Sequence, residues 1–313
     1  MTGSAFGDLT GPSAGTFMGV PAASPGGPAD VVVLGIPFDI GTHPQRVGSR
    51  LGPDHVRYLS AQLRPHLVEL DGDPFASLTI VDGGNVVVTP GRVEPAYRAI
   101  EQVSRMVLDM DAVPLTLGGD GAVTLPQLRA AARRYGPGEL AVIHLDAHTD
   151  ALPGSADEPY TNATTFVRAA EEGLIDPQRC VHLGVRGTSP VPDPVGLARG
   201  HGFEVVTMES LRRSRVEDVA SALAERFAGA PVYVCWDMDI FDPAVAPGVC
   251  TPEWGGLTAA EGIAFIRALT GIRPITVDVN TVSPPHDLGN LTGTLAARIV
   301  LEFLYLIDRA AHR

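Results

Sequence analysis

Ala141-Val-Ile-His-Leu-Asp-Ala-His-Thr-Asp150 is a short apolar run that passes into acids and an imidazole. A second stretch, Val232-Tyr-Val-Cys-Trp-Asp-Met-Asp239, ends the same way. Successive side chains of a strand point to opposite faces, so Asp146, His148 and Asp150 share one direction, and so do Asp237 and Asp239. Parallel sheets carry their functional groups just beyond the carboxyl ends of their strands. Both stretches therefore read as strands of a parallel sheet whose ends meet in a polar pocket.

The same pattern extends along the chain. Val31–Ile36, Leu78–Val81, Val113–Leu117, Leu140–Leu145, Val181–Val185, Phe203–Val206, Val232–Trp236 and Ile275–Val279 are apolar runs bounded by Gly, Asp or Pro. Between them, Val93–Leu108, Leu125–Tyr135, Val216–Phe227, Ala259–Leu269 and Thr294–Ala310 repeat apolar residues every three or four positions, as one-faced helices do. This alternation is that of βαβ units in an α/β protein, either an open sheet covered by helices or a closed barrel. Residues 1–29, rich in Gly, Pro, Ala and Ser, read as a flexible N-terminal tail, disordered or laid over a neighbouring surface, and 30–313 as one domain.

With 313 residues, 45% of them hydrophobic, the chain can bury a large core. No run approaches the roughly 18 apolar residues of a membrane span, and no basic region precedes an apolar leader, so a cytoplasmic protein with no membrane role is expected. The net charge of −13 and the lack of a basic stripe argue against nucleic acid as a partner. All 23 basic residues are arginine, which excludes lysine Schiff-base chemistry and a P-loop lysine. Cys180, Cys235 and Cys250 are too few and too scattered for a disulfide framework and read as reduced thiols.

Four carboxylates at two buried strand ends would repel one another without a cation. Carboxylates with one imidazole suit a hard or borderline ion such as manganese. His144 and His182, within strand-like runs, read as core or supporting residues. His43, His55, His66 and His201 read as loop or surface residues, and His286 follows a strand end.

Asp146-Ala-His-Thr-Asp150 and Asp237-Met-Asp-Ile-Phe-Asp-Pro243 resemble the two hallmark motifs of the ureohydrolase family, and the chain looks nearest to its agmatinase and proclavaminate amidinohydrolase branch. The likeness runs from about Asp30 to the C-terminus and takes in Gly41-Thr42, Gly52-Pro53, Gly118-Gly119-Asp120 and Gly184-Val-Arg-Gly187. It implies a three-layer α/β/α fold with an eight-stranded, mainly parallel sheet, a two-manganese cluster, assembly into trimers or hexamers, and hydrolysis of a guanidinium group in a small-molecule substrate. In that scheme Asp146 and Asp237 bridge both metals, His148 and Asp239 complete one, and Asp150 serves the other and passes a proton to the leaving amine. An apolar C-terminal helix, Ala296–Ile307, and a tail with no core of its own to join agree with a homo-oligomer.

Three positions depart from the family pattern. Gly121 stands where a metal-binding histidine is usual, Thr281 where a glutamate pairs with the guanidinium, and Asn162 where a histidine sits near the substrate. The expected protein is thus an atypical metal-dependent hydrolase of a C–N bond in a guanidine- or amidine-like molecule, other than plain arginine or agmatine and fitted to specialised metabolism. Its rival is a catalytically silent subunit. Asn162, Thr281 and Cys250 are the expected substrate-binding residues. Cys250 is open to two roles, pocket thiol or buried side chain, while Cys235 reads as buried.

Overall fold

The computed structural model describes residues 4–40, 45–89, 91–155 and 157–312; Gly41, Thr42 and His43 lie outside them. Nine strands form one sheet: β1 (Thr10–Gly11), β2 (Val31–Gly35), β3 (Ile80–Val86), β4 (Val113–Leu117), β5 (Ala141–Leu145), β6 (Cys180–Val185), β7 (Glu204–Thr207), β8 (Pro231–Asp237) and β9 (Arg273–Asn280). Their spatial order is β1-β3-β2-β4-β9-β8-β5-β6-β7, and every pairing is parallel except that of β1 with β3. The sheet has two ends, β1 and β7, so the barrel alternative falls away.

Ten α-helices among the described residues cover it: α1 (Gly52–Ser60), α2 (Pro74–Ser77), α3 (Val93–Asp109), α4 (Thr124–Tyr135), α5 (Thr165–Glu171), α6 (Pro194–Gly200), α7 (Met208–Leu211), α8 (Val216–Arg226), α9 (Ala259–Ala268) and α10 (Leu291–Ala311). Strand alternation divides the core between two faces. Val31, Ile143, Val234 and Trp236 pack with α1, α8, α9 and α10 on one side, while Val32, Val142, Tyr233 and Cys235 pack with α3, α4, α5 and α6 on the other. The architecture is a three-layer α/β/α sandwich. Trp236, fully buried, lies 5.6 to 6.3 Å between ring centres from Phe241, Phe265 and Phe303, which ties β8 to α9 and α10. Truncating such a side chain to alanine costs about 3–5 kcal/mol.

Residues 4–29 lie against the sheet. β1 pairs with β3, Phe6 and Phe17 are buried, and the Phe17 amide donates to Asp82 Oδ2 at 2.9 Å. The segment supplies the ninth strand, one more than expected. The strand expected over Leu78–Val81 runs instead over Ile80–Val86, through Asp82-Gly-Gly-Asn85, which by composition reads as a turn. A tertiary contact overrides that local preference: the fully buried Arg57 donates to Asp82 at 2.9 and 3.0 Å and to Asn85 Oδ1 at 2.6 Å. Ala296–Ile307 also has its apolar face taken, since α10 buries it against its own chain. No helix among the described residues is long and apolar enough to cross a membrane.

Candidate metal centre

β5 and β8 pair with Leu145 opposite Trp236, and β8 and β9 with Asp237 opposite Asn280. This register brings the residues that follow Leu145 beside Asp237 and Thr281 at one end of the sheet. Asp146 is held at both oxygens. Its Oδ1 accepts the His148 amide at 2.6 Å and lies 3.0 Å from His148 Nδ1, while its Oδ2 lies 3.0 Å from His144 Nε2. Asp239 lies across the seam, its Oδ1 accepting the Ala147 amide at 2.9 Å and its Oδ2 standing 3.2 Å from His148 Nδ1. Asp237 Oδ1 accepts the Asp239 amide at 2.9 Å and the Thr281 hydroxyl.

All four acids are buried. Burial, reinforced by neighbouring carboxylates, raises Asp146 to about 8 and pushes Asp150 and Asp237 well above the ordinary range. Burial would raise Asp239 too, but the His148 imidazole outweighs it and holds this carboxyl low. For His148, burial favours the neutral ring, and the attraction of Asp239 and Asp146 overcomes it, so the imidazole is held well above its usual value. On their own, then, Asp146, Asp150 and Asp237 favour keeping their protons, which is the condition a bound cation relieves.

The donors fit such a cation. Single ligand atoms of Asp146, His148 and Asp239 lie within 4.8 Å of one another, and so do those of His144, Asp146 and Asp150. The set is oxygen-rich with imidazole, the chemistry that manganese accepts. Asp237 stands outside both triads, its Oδ1 engaged by Asp239 and Thr281.

A cavity of about 490 Å³ opens over these residues, with His148 and Asp150 on its wall. Of the three expected substrate-binding residues, Asn162 lines it, at the start of the turn that leads into α5, with its own Oδ1 accepting the Ala163 amide at 2.9 Å. Thr281 does not. It is buried in the left-handed conformation, φ 66°, rare for a β-branched residue, and its hydroxyl serves Asp237. Cys250 is also absent from the wall, and burial pushes its thiol up to about 12, which favours the protonated form. Its neighbour Thr251 is the one that reaches in, donating from Oγ1 to Asp239 Oδ2 at 3.0 Å.

Residue 121 matters by its bareness. A side-chain carbon there would stand 2.8 Å from Asp150 Oδ2 and 3.5 Å from the Asn162 Cβ. Asp150 itself holds a left-handed φ of 46°. Sequence reasoning missed two arginines of the wall. Arg186 gives its guanidinium to the carbonyls of Asp239, Phe241 and Glu253 at 2.7 to 3.1 Å, and the Gly184-Val-Arg-Gly187 motif was its only signal. Arg46 donates to the carbonyls of Pro247 and Val249 at 2.7 to 3.0 Å, partners some two hundred positions away that local sequence does not reveal.

Known proteins resemble this chain. A model of the arginase family matches residues 29–305. Proclavaminate amidinohydrolase of Streptomyces clavuligerus is 40% identical over 300 residues, spanning 95% of this chain and 94% of its own. Guanidinopropionase of Pseudomonas aeruginosa is 39% identical over 302 residues, 95% of this chain and 93% of its own. The solved structure of the Streptomyces clavuligerus proclavaminate amidino hydrolase matches with a TM-score of 0.89 and 38% identity, covering 95% of this chain and 97% of that one.

Proposed function

Since the chain belongs to the arginase family, we propose that it is a manganese-dependent hydrolase that cleaves a C–N bond in a guanidino acid, in preference to arginine or agmatine. The observation that carries the reading is the gathering of Asp146, His148, Asp150 and Asp239 with Asp237 beneath a cavity large enough for a small molecule. Asp146, His148 and Asp239 would hold one ion. Asp150, with Asp146 and Asp237, is the poorer set for a second, because Gly121 brings no donor. Manganese bound there supplies Lewis acidity, making water a nucleophile near neutral pH. Asp150, on the cavity wall, is the carboxyl at hand to pass a proton to the departing amine.

The preference for an acid rests on the wall. Thr281 offers no charge to a guanidinium and faces away, which leaves Asp150 as the carboxylate for that end of the substrate. Arg46 lines the same cavity and has no carboxylate partner among the described residues, while the other acid on the wall besides Asp150, Glu253, is engaged by the Thr188 amide and hydroxyl. An uncompensated guanidinium suits a substrate carboxylate. The name of the Pseudomonas relative, guanidinopropionase, points to the same class. Assembly into a homo-oligomer belongs to this reading through family membership alone.

The test is urea release by manganese-loaded protein from guanidinopropionate, guanidinobutyrate, arginine and agmatine. A guanidino acid should lead by about tenfold or more, with agmatine below roughly 1 per second. Agmatine turned over as fast as any acid would sink the preference. Failure to bind manganese would sink the whole reading.

A further inference from the structure

The paired register of β5 and β6 sets His144 opposite His182, both buried and on the face that packs against α5. Their rings meet at right angles with Nδ1 2.8 Å from Nδ1. A separation that short holds one proton between the two nitrogens. Two arrangements satisfy it, and the outer ends of the pair choose between them.

If His144 were the donor, His182 would carry its proton on Nε2, which has no hydrogen-bond partner and lies among the rings of Phe166 and Phe203, 4.8 and 4.9 Å away between ring centres. With Asp146 ionised, as holding a metal requires, His144 Nε2 would then turn a lone pair onto Asp146 Oδ2 at 3.0 Å, lone pair against lone pair. If His182 is the donor, both faults vanish. The orphaned nitrogen is a bare acceptor, which buried sites tolerate better than an orphaned N–H, and His144 presents Nε2–H to the carboxylate.

We propose that His182 is a positioning residue for the metal centre: by donating to His144 Nδ1 it fixes the His144 proton on Nε2, and that N–H orients Asp146 Oδ2. The inference rests on the reading of Asp146 as a metal-holding residue. Carboxylate ligands lose affinity by about 10- to 100-fold when the hydrogen bonds behind them are removed. Only a donor at the Nδ1 position is needed, so asparagine, whose amide nitrogen falls near that point, should replace His182, and phenylalanine, which suits the aromatic surroundings, should not.

Manganese titration of the full-length protein separates the cases. His182→Phe should weaken manganese binding about 10- to 100-fold, and His182→Asn should stay close to the unsubstituted protein. Equal affinity in His182→Phe, or a loss in His182→Asn as large as in His182→Phe, overturns the proposal. The ¹⁵N spectrum of the metal-free, unsubstituted protein, taken well above pH 8 so that Asp146 is ionised, gives a readout that depends on no variant folding. A proton on His144 Nε2 with a bare His182 Nε2 supports the chain; a proton on His144 Nδ1 overturns it. Should the unsubstituted protein bind no manganese, the metal reading fails, and the spectrum still decides the order of the histidines.

Discussion

Asp150 Oδ2 lies 2.8 Å from the point where a side chain at Gly121 would begin. The glycine is therefore matched to a carboxylate that leans over it, and the two positions are one unit. Gly121→His should force Asp150 to turn away, which a short side chain can do, and add an imidazole to the poorer donor set. Elemental analysis under manganese excess should rise from about one ion per chain toward two. Two tightly held ions in the unsubstituted protein would contradict this.

The buried acids set a pH dependence. Metal-free, Asp146 is raised to about 8, with Asp150 and Asp237 raised as well, so between about pH 4 and 8 the folded chain keeps protons that the unfolded chain has lost. Stability then falls as pH rises through that window. Manganese replaces the protons, so its stabilising effect should grow from pH 6 to pH 8.5. At 100 times the dissociation constant it amounts to about 2.7 kcal/mol. Thermal melts with manganese or chelator at both pH values measure it; a manganese shift that shrinks with pH would argue against a metal held by these acids.

Asp287 caps the last helix. Its two oxygens accept the Thr292 and Gly293 amides, each at 2.9 Å, at the positive end of α10. Burial would raise this carboxyl, but the contact with His55 and the two amides keep it below its usual value. Asp287→Ala should cost about 1 kcal/mol at neutral pH. A group held low contributes above its unfolded value and loses that contribution as pH falls through the folded one, so the difference between the two proteins should narrow below about pH 4 in denaturant titrations.

All three cysteines are buried, and burial raises each thiol, Cys250 to about 12. A thiol reagent at pH 8 should find almost none in the native protein and three after denaturation. Fast labelling of Cys250 in the native state would reopen a nucleophilic role.

Strands and long helices were legible because their periods are set by one-sided burial, and Val113–Leu117 has the same limits in sequence and structure. The acids at the ends of β5 and β8 were legible for the same reason, since alternation fixes their direction. What failed depended on distant partners. Ile80–Val86 becomes a strand through Arg57, and Thr281 turns from the cavity because its backbone is held left-handed and its hydroxyl finds Asp237. Arg46 drew no notice because carbonyls far along the chain fix it. The His144–His182 contact needs the register of two strands, which periodicity does not give.

β9 lies between β4 and β8, yet it is the last strand in the sequence. During synthesis the chain must therefore make the outer parts of the sheet first: β1 to β4 as one group, β5 to β8 as another. Until residue 280 has left the ribosome, β4 and β8 each present an unpaired apolar edge, the kind of surface that recruits chaperones or neighbouring chains. Thr281 arrives with the same strand, so the support under Asp237 forms only when the two groups are joined. A nascent chain stalled just short of β9 holds the four acids and the His148 imidazole of the centre and still lacks the piece that locks the halves together.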